Sequence, residues 1–211
     1  MSGNLRGMAR PSNQTARREK LVAAALDAAS ERGLRSISMT DVAAKAGLTR
    51  GAVLYYYEDL DELLVEAHRA GIARFCDARD AIVAELPSPA ARLAAAIRHG
   101  LPSGPDDALM RLLYEFDVLA GNSALHHELV ETMYRRQLQT YRGILETGAA
   151  NGDFTLRLPV DSLAMNLVAL EDAYGLHITA GNSLITVATA EQAMRDAAAA
   201  LGAPPAPAPT G

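Results

Sequence analysis

Hydrophobic residues recur along most of this chain at the three- to four-residue spacing of α-helices, and no segment shows a convincing strand pattern. The first clear helix runs from Thr15 to Arg32 and ends at Gly33. This pattern predicts an all-α protein. The predicted helices span 15–32, 40–46, 50–57, 60–85, 89–99, 106–120, 123–150, 161–180 and 189–201.

Two of the short predicted helices form a helix-turn-helix around Gly47. Thr40 is the predicted N-cap of the first helix and Thr49 that of the second, because hydroxyl side chains accept hydrogen bonds from free amides at helix starts. Gly47 suits the left-handed conformation that follows a helix end. Val53 and Tyr57, four residues apart, are predicted to face inward, so the opposite face of the second helix can enter a DNA major groove.

The outward face of this motif carries small, cationic and phenolic side chains. Hydroxyl groups there suit phosphate contacts, and the other residues suit contacts with base edges. The predicted DNA-contact residues are Thr40, Thr49, Arg50, Gly51, Ala52, Tyr55 and Tyr56.

The sequence Thr40-x-Val-Ala-x-x-Ala-Gly-Leu-Thr-Arg-Gly-Ala-Val-Leu-Tyr-Tyr-Tyr, followed by Asp61-Glu-Leu-Leu64, resembles the DNA-binding domain of the TetR (tetracycline-repressor) family of bacterial one-component regulators. The resemblance implies a homodimer that binds a pseudo-palindromic operator, commonly as a repressor, and answers to a small-molecule effector. Leu60 departs from it, since many members have a phosphate-contacting Lys there. Leu54 also departs, since the family usually has Tyr there.

The charge distribution agrees with a DNA-binding amino-terminal part. Residues through Arg50 include nine Lys/Arg and four Asp/Glu, whereas the rest of the chain has eleven and twenty-one. A basic segment binds the phosphate backbone of DNA through counterion release, although ordinary solvated helix faces would give the same counts. We therefore predict a flexible arm over 1–14, a helix-turn-helix DNA-binding domain over 15–58, a six-helix ligand-binding and dimerisation bundle over 59–202, and a disordered tail over 203–211.

The predicted helix 161–180, which Asp161 would cap, is apolar nearly all round, so it needs burial on two sides. A second subunit is the economical partner, and the alanine-rich last helix allows close approach in a four-helix homodimer interface. The predicted interface residues are Leu163, Leu167, Leu170, Tyr174, Ile178, Ala193 and Ala197.

Polar residues within the same helix raise the question of a ligand. A carboxylate at an apolar position must be paired, exposed at an interface, or reserved for a cationic ligand, because burying it alone costs several kcal/mol. The run Leu-Glu-Asp-Ala-Tyr-Gly-Leu-His177 is also similar to the sensor domain of the choline-type (BetI-like) branch. The alternative role is capping or interface pairing for Glu115, Asp172 and His177, and core packing for the aromatic and Met residues. The predicted ligand-binding residues are Phe75, Glu115, Phe116, Met133, Tyr134, Tyr141, Met165, Asn166, Asp172 and His177.

Other classes of site find little support in the sequence. His126 and His127 are adjacent, so they point about 100° apart on a helix and cannot form an i, i+4 metal pair, while His68 and His99 are isolated. We expect no metal, no cofactor and no catalytic residue set. A helical-pocket enzyme and a dimerisation module that has lost DNA binding remain the alternatives to a regulator.

Localisation follows from what the chain lacks. No apolar run approaches the ~20 residues of a membrane span, and no signal peptide pattern opens the chain. Cys76 is the single cysteine, which fits a reducing compartment and excludes an internal disulfide. The expectation is a cytoplasmic protein without a membrane partner.

Overall fold

In a computed structural model of the chain, residues 9–121 and 123–207 are described. Within these ranges the protein consists of nine α-helices and contains no strand, which confirms the predicted all-α fold. The helices are α1 (Ala9–Arg32), α2 (Met39–Ala46), α3 (Arg50–Leu54), α4 (Leu60–Glu85), α5 (Pro89–Gly100), α6 (Ala108–Ala120), α7 (Ala124–Asn151), α8 (Val160–Thr179) and α9 (Val187–Ala200).

Helices α1–α3 form a small amino-terminal unit, which we call the head, and α4–α9 form the body. The head packs around fully buried side chains that include Leu21, Val42 and Val53. Tyr57 is also buried, so both residues predicted to face inward do so. The same hydrophobic cluster extends into α4 and into α6 at Phe116, so the head core is continuous with two helices of the body.

The first helix begins earlier than predicted. Helix α1 starts at Ala9, within the segment expected to be a flexible arm, and residues 1–8 lie outside the described residues. Helix α3 ends at Leu54 rather than at Tyr57, and the chain continues from it as a turn.

Two predicted N-caps are each wrong by two residues. Ser38, not Thr40, caps α2: its Oγ accepts a hydrogen bond from Asp41 N at 3.3 Å, and Asp41 Oδ2 accepts one from Ser38 N at 2.9 Å. This reciprocal pair is a capping box, and it places Thr40 inside the first turn. Asp161 likewise lies in the first turn of α8, behind Pro159, and pairs with Arg142 Nε at 3.0 Å.

The tail predicted to be disordered is anchored over the part that is described. Ala203 is fully buried, Ala206 N donates a hydrogen bond to Ala90 O at 2.9 Å, and Ala206 O accepts one from Arg195 Nη1 at 2.6 Å. The prediction was wrong for residues 203–207 because α5 and α9 supply partners that local composition does not show. Residues 208–211 lie outside the described residues.

The body is held by two further hydrophobic clusters, one around α5, α7, α8 and α9 and one where α4, α6 and α7 meet. None of the helices within residues 9–121 and 123–207 is long and apolar enough to cross a membrane.

Candidate nucleic-acid interface and interior of the body

The turn between α2 and α3 depends on a left-handed residue. Gly47 has φ +67° and follows the last residue of α2, and Leu48 N then donates to Ala43 O at 2.8 Å. A side chain at Gly47 would meet no atom within 4 Å, so the backbone conformation rather than space favours glycine there. The turn fixes the angle at which α3 leaves α2.

The seven predicted DNA-contact residues are exposed or half-buried, so their side chains are not part of the head core. Thr49 caps α3 through Oγ1, which accepts from Ala52 N at 3.2 Å. Arg50 and Gly51 follow it and are exposed, and Tyr55 at the end of the helix is 73% exposed. The remaining three positions are Thr40, which is exposed, and Ala52 and Tyr56, which are half-buried.

Two details of this surface bear on a close approach by another molecule. A Cβ added at Gly51 would meet nothing within 4 Å, so no internal packing requires glycine at this position. Leu54 is 42% exposed, whereas Leu60 is partly buried against the head core. Leu60, the position where a phosphate-contacting Lys is common, therefore serves packing in this chain.

Arg18 fixes the turn that follows α3. Its Nη1 donates to Tyr56 O at 3.0 Å, its Nη2 donates to Glu66 Oε1 at 2.7 Å, and its guanidinium lies over the Tyr57 ring at 4.3 Å. Tyr57 OH donates to Glu66 Oε2 at 2.6 Å. The arginine, which lies on α1, thus ties the turn after α3 to both α1 and α4. Sequence analysis counted Arg18 only as part of a basic segment.

The interior of the body contains a buried ion pair between α4 and α8. Arg79 and Glu171 have side chains that are 2% and 1% exposed, and they form a two-pronged contact, Nη1–Oε1 at 3.0 Å and Nη2–Oε2 at 2.7 Å. Such a pair is tolerated in a low-dielectric interior only when the remaining polar atoms are also satisfied. Glu171 meets this condition, since it also accepts from Tyr141 OH at 2.7 Å and Gln137 Nε2 at 3.0 Å.

Glycine in α5 makes room for this carboxylate. A Cβ at Gly100 would lie 2.2 Å from Glu171 Oε2, so the helix approaches the acid as closely as its backbone allows. The network therefore joins α4, α7 and α8 by hydrogen bonds and α5 by close packing. The sequence pattern did not predict Arg79 as a member of this buried network. The signal that could have indicated it is a lone arginine on the apolar face of the predicted helix 60–85.

Asp172, beside the network, is only partly satisfied. Its Oδ1 accepts from Gln137 Nε2 at 3.3 Å. Burial, and after it the neighbouring carboxylate of Glu171, raises the pKa of Asp172 to about 7. An acid with this perturbation in a body interior is a functional-site candidate, although structural networks shift pKa values as well.

The predicted isolation of His68 is wrong, because its partner is distant in sequence. His68 Nδ1 lies 3.0 Å from His126 Nδ1, and the His68 ring stacks on Phe116 with centroids 4.2 Å apart. Burial, and after it His126, lowers the pKa of His68 to about 3. This stack of rings from α4, α6 and α7 adjoins the head core, where Glu115 Oε2 accepts from Leu34 N at 2.7 Å.

Helix α8 leaves an apolar face uncovered in the single chain. Met165 is 51% exposed and Leu176 is 55% exposed, and Ala169 and Ala173 lie exposed between them. In the loop that follows, Leu184 is 83% exposed. An exposed apolar face of this kind is a candidate surface for binding another molecule.

Comparison with known proteins agrees with this arrangement. A model of the tetR family of bacterial regulatory proteins matches residues 21–67. The HTH-type transcriptional repressor KstR2 of Mycolicibacterium smegmatis is 22% identical over 151 residues, which cover 72% of this chain and 74% of that protein. A TetR transcription regulator from Haloarcula marismortui has a similar structure, with a TM-score of 0.81, 21% identity and coverage of 89% of this chain and 99% of the other. Residues 21–67 thus match the tetR family of regulators, and the whole chain shares the fold of TetR regulators.

A second solved structure bears on the body of this chain. A putative transcriptional regulator from Saccharomonospora viridis, determined in complex with choline, is similar with a TM-score of 0.80 and 22% identity over 88% of this chain and 96% of that one. At this level of identity the similarity establishes the fold of the body and leaves its ligand open.

The ten predicted ligand-binding residues do not form one site in the body. Phe75, Met133, Tyr141 and Asp172 lie in or beside its interior. Glu115 and Phe116 are instead part of the contact between body and head, where their partners are Leu34 N and the His68 ring. Helical spacing could not separate these groups, because it does not fix which neighbour each face meets. The remaining four are exposed at the surface: Tyr134, Met165, Asn166 and His177.

The predicted dimer residues are displaced around the helix from the uncovered face of α8. Leu163, Leu167 and Ile178 are buried in the protomer core, and Leu170 and Tyr174 are half-buried against it. The face left open carries Met165 and Leu176 instead. The apolar stripe that sequence analysis assigned to a partner is thus the stripe that the protomer buries itself. On α9, Ala193 and Ala197 remain half-exposed.

Proposed function

We propose that this chain is a transcriptional repressor that binds a pseudo-palindromic operator as a homodimer in the cytoplasm and is released by a small-molecule effector. The observation that carries the proposal is the surface of α3, where Arg50, Gly51 and Tyr55 project from a helix of the head whose other face is buried. A short, rigid helix with small and cationic side chains outward suits the major groove. The related repressor from Mycolicibacterium smegmatis supports repression.

The proposed DNA contacts divide by chemistry. Arg50 suits a guanine, whose O6 and N7 accept from both arms of a guanidinium. Thr49 and Tyr56 carry hydroxyl groups suited to phosphates, as does Thr40 on α2. Gly51 has open space around it, so the backbone of α3 can come close to the groove. Ala52 and Tyr55 complete the set as contacts with base edges.

The proposed homodimer forms through α8 and α9. The open face of α8, with Met165, Ala169, Ala173 and Leu176, lies beside small residues of α9, which together allow two helices of each chain to pack closely. Two heads related by a two-fold axis would then meet successive major grooves on one side of the duplex.

Effector release is proposed to act through the link between body and head. Helix α4 starts at Leu60 under the head core and carries Arg79 deep in the body. Glu115 of α6 holds the end of α1 through Leu34 N. An effector that favours another packing of α4 or α6 would change the separation of the two heads and weaken the second half-site contact.

Selection of genomic fragments with the purified full chain tests the DNA-binding proposal. We expect recovery of a two-fold related motif, and binding that weakens steeply with salt because phosphate contacts release counterions. Arg50→Ala should weaken operator binding by about 1–3 kcal/mol. Arg157→Ala, an exposed arginine of the body, removes the same charge and should leave affinity unchanged. Equal effects of the two substitutions, or no selected motif at low salt, would refute the proposal.

The dimer is tested by placing a charge on the open face. Leu176→Glu should shift the protein from dimer to monomer in sedimentation velocity, because it introduces a carboxylate into a buried apolar contact. Val118→Glu is the matched control, since Val118 of α6 is 66% exposed and lies in a cleft with Arg32 and Leu34 at the end of α1. A dimer that survives Leu176→Glu unchanged would place the interface elsewhere.

A further inference from the structure

A cleft of about 430 Å³ opens in the body between α4, the end of α5 and the loop that precedes α6. Phe75, Leu101 and Met110 line it and are buried, so its floor is apolar. The volume falls within the roughly 300–1,000 Å³ that is typical of small-molecule sites. The polar groups around the cleft that still lack a partner indicate the chemistry of its occupant.

The acid that lines the cleft, Asp107, and the acids paired with its arginines Arg79 and Arg98 are already engaged. Asp107 caps α6, where it accepts from Met110 N at 3.1 Å and, through its second oxygen, from Ser103 N at 2.9 Å. Glu171 is occupied by Arg79, Gln137 and Tyr141. A cationic ligand would therefore find no free carboxylate here.

Glu191 is likewise engaged, and it lies beside the cleft through Arg98. It accepts from Arg98 Nη1 at 3.2 Å and from Arg195 Nε at 2.9 Å. The acids near the cleft thus balance arginines within the protein rather than a ligand.

The groups with unused capacity are hydrogen-bond donors. Arg79 lies on the wall of the cleft, is almost completely buried, and its Nε has no hydrogen-bond partner. Arg74 at the rim is exposed and forms no ion pair within the described part of the chain. Burial lowers the pKa of His99, another lining residue, and the charges of Arg98 and Arg79 lower it further. The lining thus includes the three arginines Arg74, Arg79 and Arg98 and one acid, Asp107.

We infer that the cleft binds an amphipathic carboxylate, whose apolar part covers Phe75 and Met110 and whose anionic group engages Arg74, Arg79 and Arg98. A buried donor without a partner costs free energy that an acceptor on the ligand recovers, and charge-assisted hydrogen bonds to arginine are among the strongest available. The inference rests on the proposed effector-controlled repressor and names the class of its effector. This effector class is opposite in charge to the cationic ligand that the acidic residues of the predicted helix 161–180 suggested.

Three probes with one ten-carbon chain isolate the headgroup: decanoate, decanol and decyltrimethylammonium. We expect calorimetry on the full chain without DNA to give an affinity for decanoate at least about tenfold above that for decanol, with the ammonium weakest. Tighter binding of the ammonium than of decanoate overturns the inference, as does failure of decanoate to bind.

Substitutions locate the binding within the cleft. Arg74→Gln and Arg98→Gln should each reduce decanoate affinity about tenfold and leave decanol affinity unchanged, whereas Arg157→Gln changes neither. Ala78→Phe fills the cleft from α4 and should abolish binding of both probes. Decanoate binding that is insensitive to Ala78→Phe and to both arginine substitutions would place the site elsewhere and refute the inference.

The failure of this inference is separable from failure of the proposed function. Ligand affinity is measured on free protein, and operator binding is measured by fragment selection without ligand. A protein that selects an operator and ignores decanoate keeps the regulatory proposal and loses the ligand class. A protein that binds decanoate through the cleft and selects no DNA keeps the ligand class and loses the regulator.

Discussion

Head and body are stabilised by different kinds of interaction. All seven buried polar or charged residues of the described part of the chain belong to the body, namely His68, Arg79, His126, Gln137, Glu171, Glu191 and Arg195. The head core consists of apolar side chains and the ring of Tyr57, with its polar contacts at helix ends and at the surface. The head is specified by local patterns, whereas the body depends on pairs that meet only after folding.

In the proposed regulator, this difference would separate a DNA-binding surface from a ligand-responsive interior. The head contains no buried charge within the described residues, and the outward side chains of α3 lie opposite its apolar core. The body contains a polar network beside an open cleft, where a ligand can change which partners are satisfied. A ligand-controlled DNA-binding protein requires a DNA-binding surface of fixed geometry and an interior whose packing a ligand can change.

The largest effect is expected from removing the charge at the centre of the body. Arg79→Met leaves the Glu171 carboxylate buried without its cation, which typically costs about 3–5 kcal/mol. Denaturant unfolding followed by circular dichroism measures the loss. Arg136→Met removes a half-exposed arginine of α7 that pairs with Asp77 and Asp80 on α4, the helix that also carries Arg79. This substitution should cost about 1 kcal/mol or less. Similar losses from the two variants would show that the body does not depend on its buried pair.

Sequence analysis succeeded where structure is determined locally and failed where it is not. The order of nine helices, the Gly47 turn and the inward Val53 and Tyr57 follow from periodicity and turn chemistry within a few residues. The Arg79–Glu171 pair joins residues 92 positions apart, and no periodicity links them. Spacing also shows that a helix has apolar stripes, but it cannot say which stripe the protomer buries. The predicted interface residues of α8 therefore lie in the protomer core rather than on its open face.

A cavity in the head tests whether the head and the body unfold together. Val53→Ala removes two buried methyl groups from α3 and should cost about 2 kcal/mol. Because the head core continues into α4 and α6, we expect one cooperative transition at lower denaturant rather than separate unfolding of the head. Two transitions, with only the earlier one shifted by the substitution, would show that the head folds independently of the body.

A pH-dependent effect is expected at Asp172, beside the body network. Its folded pKa of about 7 lies above the ordinary 3.8 of an aspartate, so the folded state holds the proton more tightly and this group destabilises the protein as pH rises from about 4 to 7. Asp172→Asn cannot ionise. We expect the variant to gain roughly 1–2 kcal/mol at pH 8, after allowance for partial exposure, and less at pH 5. Asp153→Asn, at an exposed site, is the control, and a gain that does not vary with pH would contradict the assignment.

The smallest effect distinguishes two neighbouring hydroxyl groups in the head. Ser38→Ala removes the N-cap of α2 and should cost about 1 kcal/mol, because Asp41 N loses its acceptor. Thr40→Ala, two residues on and exposed in the first turn, should change the free energy of unfolding by less than about 0.5 kcal/mol while weakening DNA binding if Thr40 contacts a phosphate. Thermal unfolding and operator titration of the same two variants therefore separate a local structural role from a binding role. A larger stability loss from Thr40→Ala than from Ser38→Ala would restore Thr40 as the cap and remove the capping box from α2.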